Sequence, residues 1–303
     1  MLRVTMLGTG GMLPLRDRAL ASAMLSVNGH NLLIDCGEGT QIQIRENRLG
    51  FKAIDAILIT HFHGDHVSGL PGLLLSMGNH GRTESVVIAG PVGLAHVVDN
   101  LRVIAPGLPF EIRYRELNPV SPAPFHCGGM QIEAFPLKHS VPCLGYHLEL
   151  KRAGRFLPER ARETGVPMAL WSVLQKQPRA ELDGVIYTQD MVLDLPRRGI
   201  SVIYATDTRP TEALVRAAQD CDLLIAEGMY GDPAKASRAR ESGHMLMEEA
   251  AAIAARSNAR RLWLTHYSPS MTDPYIWLER VRAIYPEAAV ARDGMEIDLP
   301  YPE

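Results

Sequence analysis

Long apolar runs are what this sequence lacks most plainly. No stretch approaches the ~18 uninterrupted apolar residues that a membrane span needs, and the N-terminal MLRVTMLGTGG has neither a basic n-region nor a long apolar h-region. Export and membrane insertion are set aside, and a soluble, cytoplasmic protein is expected. Paired cysteines are missing too. Cys36, Cys127, Cys143 and Cys221 stand far apart without C-x-x-C spacing, which excludes zinc knuckles and redox pairs of that kind and leaves reduced, buried thiols. Charge of neither sign is in excess, with Lys+Arg 31 against Asp+Glu 34 for a net −3. The chain as a whole does not attract a polyanion, so any nucleic-acid contact has to come from a local patch. There is no repeat of about 20–50 residues and no low-complexity segment, so solenoids and propellers drop out.

What remains is ordinary globular composition. With 46% hydrophobic and 21% charged residues over 303 positions, the chain can bury a core as one large α/β domain or two small ones. LRVTMLG, SAMLSVNG, NLLIDCG, IDAILIT, SVVIAG, MQIEAFPL, LGYHLEL, ISVIYATD, DLLIAEG and RRLWLTH read as strands. PVGLAHVVDNLRVI, TEALVRAAQD, MLMEEAAAIAARS and YIWLERVRAIYP carry helical patterns. A β-rich start gives way to β–α alternation, which predicts a layered α/β architecture with strands inside and helices outside. One stretch interrupts it. From Lys151 to Arg198 the chain turns polar and helix-forming between two strands, and it is expected to be an inserted arm projecting from a single domain spanning 1–303.

The chemistry gathers in LITHFHGDHVSGLPG, Leu58 to Gly72, where an apolar run ends in His61, His63, Asp65 and His66. H-x-H-x-D-H spacing, in a loop read as too tight for a helix, suits a borderline metal such as Zn²⁺ that accepts nitrogen and oxygen ligands. Four donors exceed what one catalytic zinc with an open position needs, which points to two metals. The bland alternative is a polar loop whose histidines bond to backbone, and so dense a cluster fits it poorly. A two-metal site should draw further ligands from later strand ends. His139 follows IEAFPLK, Asp207 follows SVIYAT and His266 follows RRLWLT; donors from one sheet edge can converge in one cleft. Singly, His139 could be a loop histidine and Asp207 a helix N-cap.

Six stretches carry a resemblance: LGTGGMLP at 7–14, IDCGEGTQIQ at 34–43, THFHGDHVSGLPGLL at 60–74, PLKHSVPCLGY at 136–146, ATDTRP at 205–210 and LTHYSP at 264–269. On these the chain resembles the ribonuclease Z family, tRNA 3′-processing endonucleases of the metallo-β-lactamase superfamily. H-x-H-x-D-H marks only the superfamily, whereas DCGEGTQ and GLPGLL are narrower signals. The resemblance implies a four-layer αβ/βα metallo-β-lactamase sandwich and two zinc ions per chain, or manganese in their place. It implies that the first metal takes His61, His63, His139 and Asp207 and the second takes Asp65, His66, Asp207 and His266, with Asp207 bridging. Precursor tRNA as partner and a homodimer are implied as well.

Chemistry agrees with that assignment, since two metals can activate a water and neutralise charge on the phosphoryl and leaving oxygens of a phosphodiester. Asp65 is placed to accept the water's proton. His244, in ESGHMLMEEAAAIAA, aligns with the family histidine thought to protonate the leaving 3′-oxygen, a role that suits an imidazole of near-neutral pKa. Its bland reading is a helix-start histidine making a local hydrogen bond. His30, His80, His96, His126 and His147 are read as structural.

The insertion matches in position the arm with which the family grips the tRNA elbow. Lys151 to Ala180 carries seven cations against two carboxylates, a net +5 on a −3 protein, and such a patch is a phosphate-binding footprint or simply a solvated helical face. Arg155, Arg160 and Arg162 are the candidate contacts, and Phe156 and Trp171 either stack on bases or anchor the arm's own small core. Three departures stand out. The arm's usual G-I-P-x-G-P reads GVPMAL, with Met168 and Ala169; Met245 and Leu246 follow His244, where small hydroxyl residues are usual; and S-x-R-Y after His266 reads Ser268, Pro269, Ser270 and Met271. All three are expected on substrate-facing loops, so hydrolysis is better supported than tRNA as substrate. Two other classes stay open: a metallo-hydrolase of the same fold acting on a small phosphodiester or other ester, and a non-catalytic RNA-binding module.

Overall fold

The computed structural model describes residues 1–118, 120 and 123–302, and the chain divides into two compact units. The larger comprises Met1–Glu149 and Ser201–Pro300; the smaller is Leu150–Ile200 with the C-terminal residues from Tyr301.

Two seven-stranded sheets build the larger unit. Strands β1 (Leu2–Gly8), β2 (Ser22–Val27), β3 (His30–Ile34), β4 (Ile54–Leu58), β5 (Val86–Pro91) and β6 (Ile112–Leu117) lie side by side in chain order. β1 to β3 pair antiparallel as a meander, and β3 to β6 pair parallel through helical crossovers. The second sheet contains β7 (Phe125–Cys127), β8 (Met130–Leu137) and β9 (Cys143–Arg152), which are antiparallel neighbours in turn. In the smaller unit the hairpin β10 (Arg179–Leu182) and β11 (Val185–Thr188) forms a sheet of its own. β12 (Arg197–Ala205) then joins the second sheet beside β9, followed in parallel by β13 (Leu223–Glu227), β14 (Leu262–Thr265) and β15 (Ala288–Val290). β16 (Glu296–Leu299) returns to the first sheet against β1.

Strands covered on both faces read as nearly unbroken apolar runs, and β13 and β14 are buried at every position. On one face of the first sheet, Leu33, Ile57 and Ile88 pack with Leu70, Leu74, Met77 and Val98 of the helices Leu70–Asn79 and Leu94–Leu101. On one face of the second, Ile203, Leu224 and Leu264 pack with Leu214, Ala250, Ile253 and Val281 of helices Glu212–Ala217, Met247–Arg256 and Leu278–Ile284. The inner faces meet each other. Tyr146 on β9 donates its hydroxyl to the Ile59 carbonyl at 2.6 Å, and Leu144 N donates to Thr60 O at 2.9 Å. The result is helix, sheet, sheet, helix: the four-layer αβ/βα sandwich.

All ten strands read from the sequence form. In the smaller unit, two short helices (Pro158–Glu163 and Met168–Leu174) and the hairpin pack on Ala161, Val166, Leu170, Leu174, Val192 and Leu193.

Candidate metal centre

β4 brings His61 to the sheet edge, and the helix Gly64–Val67 begins inside the motif, with Asp65 and His66 on it. The motif is therefore half loop and half helix, where a loop alone was expected. Successive helical residues point about 100° apart, so Asp65 and His66 diverge from the extended pair His61 and His63. Glycine explains the narrower motifs. A side chain at Gly69 would meet Gly37 O at 2.1 Å, and one at Gly37 would meet Asp65 O at 2.6 Å, so only bare backbone lets these two loops touch.

His139 lies just past β8, Asp207 two residues past β12 and His266 directly after β14. The structure brings all seven predicted donors together. His61, His63, His139 and Asp207 form one group whose ligand atoms lie within 4.8 Å of one another, and Asp65, His66 and His266 form a second. Asp207 divides its carboxylate between them. Oδ2 lies 3.7 Å from both His61 Nε2 and His139 Nε2, while Oδ1 lies 3.3 Å from His66 Nε2 and 3.1 Å from His266 Nε2. His63 Nδ1 is 3.3 Å from His139 Nε2, and Asp65 Oδ2 is 3.4 Å from His266 Nε2.

These atoms suit cations better than they suit each other. Among the described residues His61 Nε2 is buried with no hydrogen-bond partner, at a cost of about 1–3 kcal/mol. His66 Nε2 and His266 Nε2 confront one another at 3.1 Å. Burial, with His66 beside it, depresses His61 to about 2, so its ring is neutral and its lone pair free. Burial opposes the charge on Asp207, yet the surrounding imidazoles of His266, His66 and His61 hold the carboxyl well below its usual range. Burial lowers His139 as it does His61, while at His66 burial is outweighed by Asp207 and Asp35, which raise it. Imidazole nitrogens around an ionised carboxylate are a set of metal donors, and a cation taken up there displaces protons from the rings.

Three strand-end carboxylates and rings adopt left-handed backbone: Asp35 at φ 56°, Asp207 at 54° and His266 at 56°. Such residues persist only where the surroundings over-determine them, and they gather at functional sites. Asp35 escaped the sequence reading although it directly follows β3. Fully buried, it takes His66 Nδ1 at 2.8 Å and Thr60 N and Oγ1 at 2.8 and 3.0 Å, which fixes the His66 ring so that Nε2 faces the centre. Glu227, the last residue of β13, was missed likewise. Its Oε2 lies 3.1 Å from His244 Nδ1, and its Oε1 accepts from Thr208 N. Burial works against a charged His244, but Glu227 raises its pKa above the ordinary value. A search of strand ends for Glu as well as His and Asp finds both residues.

His244 closes the cluster, its ring 5.0 Å from that of His139 and 5.8 Å from that of His266. Met245, Leu246 and Met271 are buried in apolar packing, so these departures do not face substrate as expected; Ser270 and Met168 are exposed. In the smaller unit Arg155, Arg160 and Arg162 are exposed. Arg160 Nη1 donates to Leu193 O at 3.0 Å and Arg162 lies 5.7 Å from the Trp171 ring centre. Phe156 and Trp171 pack on each other at 5.3 Å within the small core, and Trp171 Nε1 donates to Val166 O at 2.9 Å.

Known proteins match this architecture. One family model, described as Anti-Pycsar protein Apyc1, matches residues 2–98, and another, described as Beta-lactamase superfamily domain, matches residues 164–267. A ribonuclease Z of Agathobacter rectalis is 50% identical over 303 residues, covering 100% of both chains. The chain belongs to the ribonuclease Z family. A second ribonuclease Z, of Lachnoclostridium phytofermentans, is 49% identical over 302 residues and 99% of each chain. The crystal structure of human tRNase Z, short form, matches with a TM-score of 0.71 at 26% identity, over 98% of this chain and 99% of that one. Ribonuclease Z membership makes the chain a hydrolase of the metallo-β-lactamase fold. Among the described residues no helix is long and apolar enough to cross a membrane.

Proposed function

We propose that this ribonuclease Z is an endonuclease that cuts the 3′ trailer from precursor tRNA and leaves a 3′-hydroxyl on the tRNA, using two divalent cations. The observation that carries the reading is the division of Asp207 between two donor groups, Oδ2 facing His61 and His139 and Oδ1 facing His66 and His266. His61, His63 and His139 with Asp207 would hold one cation, and Asp65, His66 and His266 with Asp207 the other. Nitrogen and oxygen donors of this kind suit zinc, with manganese the alternative. When bound, the pair supplies Lewis acidity that activates a water and offsets charge on the phosphoryl group.

The chain's own groups move the protons. Asp65 accepts one from the attacking water. His244 Nδ1 is committed to Glu227, so the proton it gives to the leaving 3′-oxygen sits on Nε2, and Glu227 favours the charged ring that can give it. Arg155, Arg160 and Arg162 take phosphates of the tRNA, whose strong negative field an exposed cationic patch is suited to meet. The reading carries with it a cytoplasmic homodimer.

Incubation of the metal-supplemented protein with a precursor tRNA bearing a 3′ trailer tests it. A single cut with a 3′-hydroxyl on the tRNA is expected. Hydrolysis of a chromogenic phosphodiester, with several precursors left whole at low salt in Zn²⁺ or Mn²⁺, would replace the reading by a small-diester hydrolase. RNA binding without either reaction would leave a binding module.

A further inference from the structure

We infer that Asp293 is a positioning residue for the reacting centre: it clamps both ends of the loop Thr9–Ala19, whose Met12 amide fixes the Asp65 carboxylate. The inference rests on the two-cation reading above. The loop leaves β1 and returns to β2. One backbone bond, from Gly10 N to Ala19 O at 2.8 Å, and one carboxylate close it. Asp293 Oδ1 accepts from Thr9 N at 2.9 Å and Thr9 Oγ1 at 2.7 Å, and Oδ2 accepts from Ala19 N at 2.6 Å. The clamp is itself anchored, because Gly294 N donates to Met6 O at 2.8 Å and Met6 N to Met295 O at 2.9 Å, tying the Asp293 turn to β1.

Between those ends the loop lies on the metal centre. Gly11 passes so close to His266 that a side chain there would sit 2.6 Å from the ring's Cε1. Gly11 N donates to Tyr267 O at 3.1 Å and Tyr267 N donates to Thr9 O at 2.9 Å. Met12 follows at φ 68°, a strained conformation for a residue with a Cβ. That backbone turns its N–H onto Asp65 Oδ2 at 2.6 Å. The same oxygen stands 3.4 Å from His266 Nε2, so the amide sets the direction of the oxygen that belongs to the second donor group.

Strain of this kind has to be held from outside. Packing of the tip does not hold it, since the side chains of Met12 and Leu13 are 52% and 61% exposed. The closed ends do. Asp35 and Glu227 act differently, each touching a ring nitrogen of the cluster directly. Asp293 touches no donor atom and works through backbone.

Asp293→Asn keeps the size and turns one acceptor into a donor, so one loop end loses its partner. In a chelator titration of the holoenzyme, one cation should leave at ~10–100-fold lower chelator concentration while the other stays as in the wild type. On precursor tRNA, kcat should fall by a similar ~10–100-fold with KM nearly constant. Thr9→Val removes only the hydroxyl and should shift the same site less. Met12→Gly keeps the amide and should hold both cations as the wild type does; loss there equal to that of Asp293→Asn would assign the effect to the Met12 side chain and overturn the clamp. Wild-type retention of both cations in Asp293→Asn also overturns it, as does equal weakening of both with a lowered melting temperature, which is plain loss of structure. A wild-type protein that binds only one cation under the same titration refutes the two-cation reading itself, before any variant is compared.

Discussion

The donors of the metal centre and the cations of the inserted unit are held in opposite ways. His61, Asp207 and His266 are buried just past strand ends of two large sheets and His66 on the short helix after β4, its ring fixed by Asp35. Arg155, Arg160 and Arg162 stand exposed on short elements around a core of only a few side chains. Hydrolysis needs donors placed to a fraction of an ångström, and rigid sheets supply that. A tRNA backbone presents phosphate over a broad surface, and flexible cations meet it at little cost in precision. The first arrangement should fail completely when one group is removed, and the second by degrees.

The largest effect should come from His63→Ala. Phosphodiesterase activity is expected to vanish while circular dichroism and melting stay near wild type, because the apolar clusters that build the larger unit do not depend on the centre. An unfolded variant would make the centre a structural staple and erase the contrast. His244→Ala should lose roughly 10²–10⁴ in kcat, as for a lost general acid; metal content, measured in the same preparation, should not change. Full rate in this variant would return His244 to a local structural role.

Charge reversal at Arg155, Arg160 and Arg162 should act more gently. The ratio of precursor-tRNA to small-diester turnover should fall, and the dependence of RNA binding on log salt should flatten by about one unit per lost contact. Equal loss on both substrates would mean that the cations serve the centre and not the RNA. The smallest effect is a shift in pH profile. His244 donates only when protonated, so rate is lost as pH rises through its pKa, which Glu227 raises. Glu227→Gln should therefore move the alkaline limb to lower pH; a limb that stays in place would detach Glu227 from the proton transfer.

Much of this was legible in the sequence because strands buried on both faces are runs of apolar residues, and the seven donors sit at or near their ends. β6 was not, since as an edge strand it reads IRYREL with charged residues on exposed positions. β16 was not either; its four residues pair with β1 at the other end of the chain, and nothing local announces that. The H-x-H-x-D-H motif read as pure loop because its glycine masked a one-turn helix. Asp35 and Glu227 look like ordinary strand-end carboxylates until the fold sets them against His66 and His244. Met245, Leu246 and Met271 could not be placed from sequence at all: burial takes them away from the substrate side that their positions beside His244 and His266 suggested.

The central claim is that Asp207 is shared by two cation sites. Elemental analysis of gently purified, metal-supplemented protein tests it most directly. Close to two divalent metals per chain are expected, because seven donors with one shared carboxylate are too many for a single catalytic zinc. A stoichiometry that stays near one or below after supplementation with Zn²⁺ and with Mn²⁺ would contradict it.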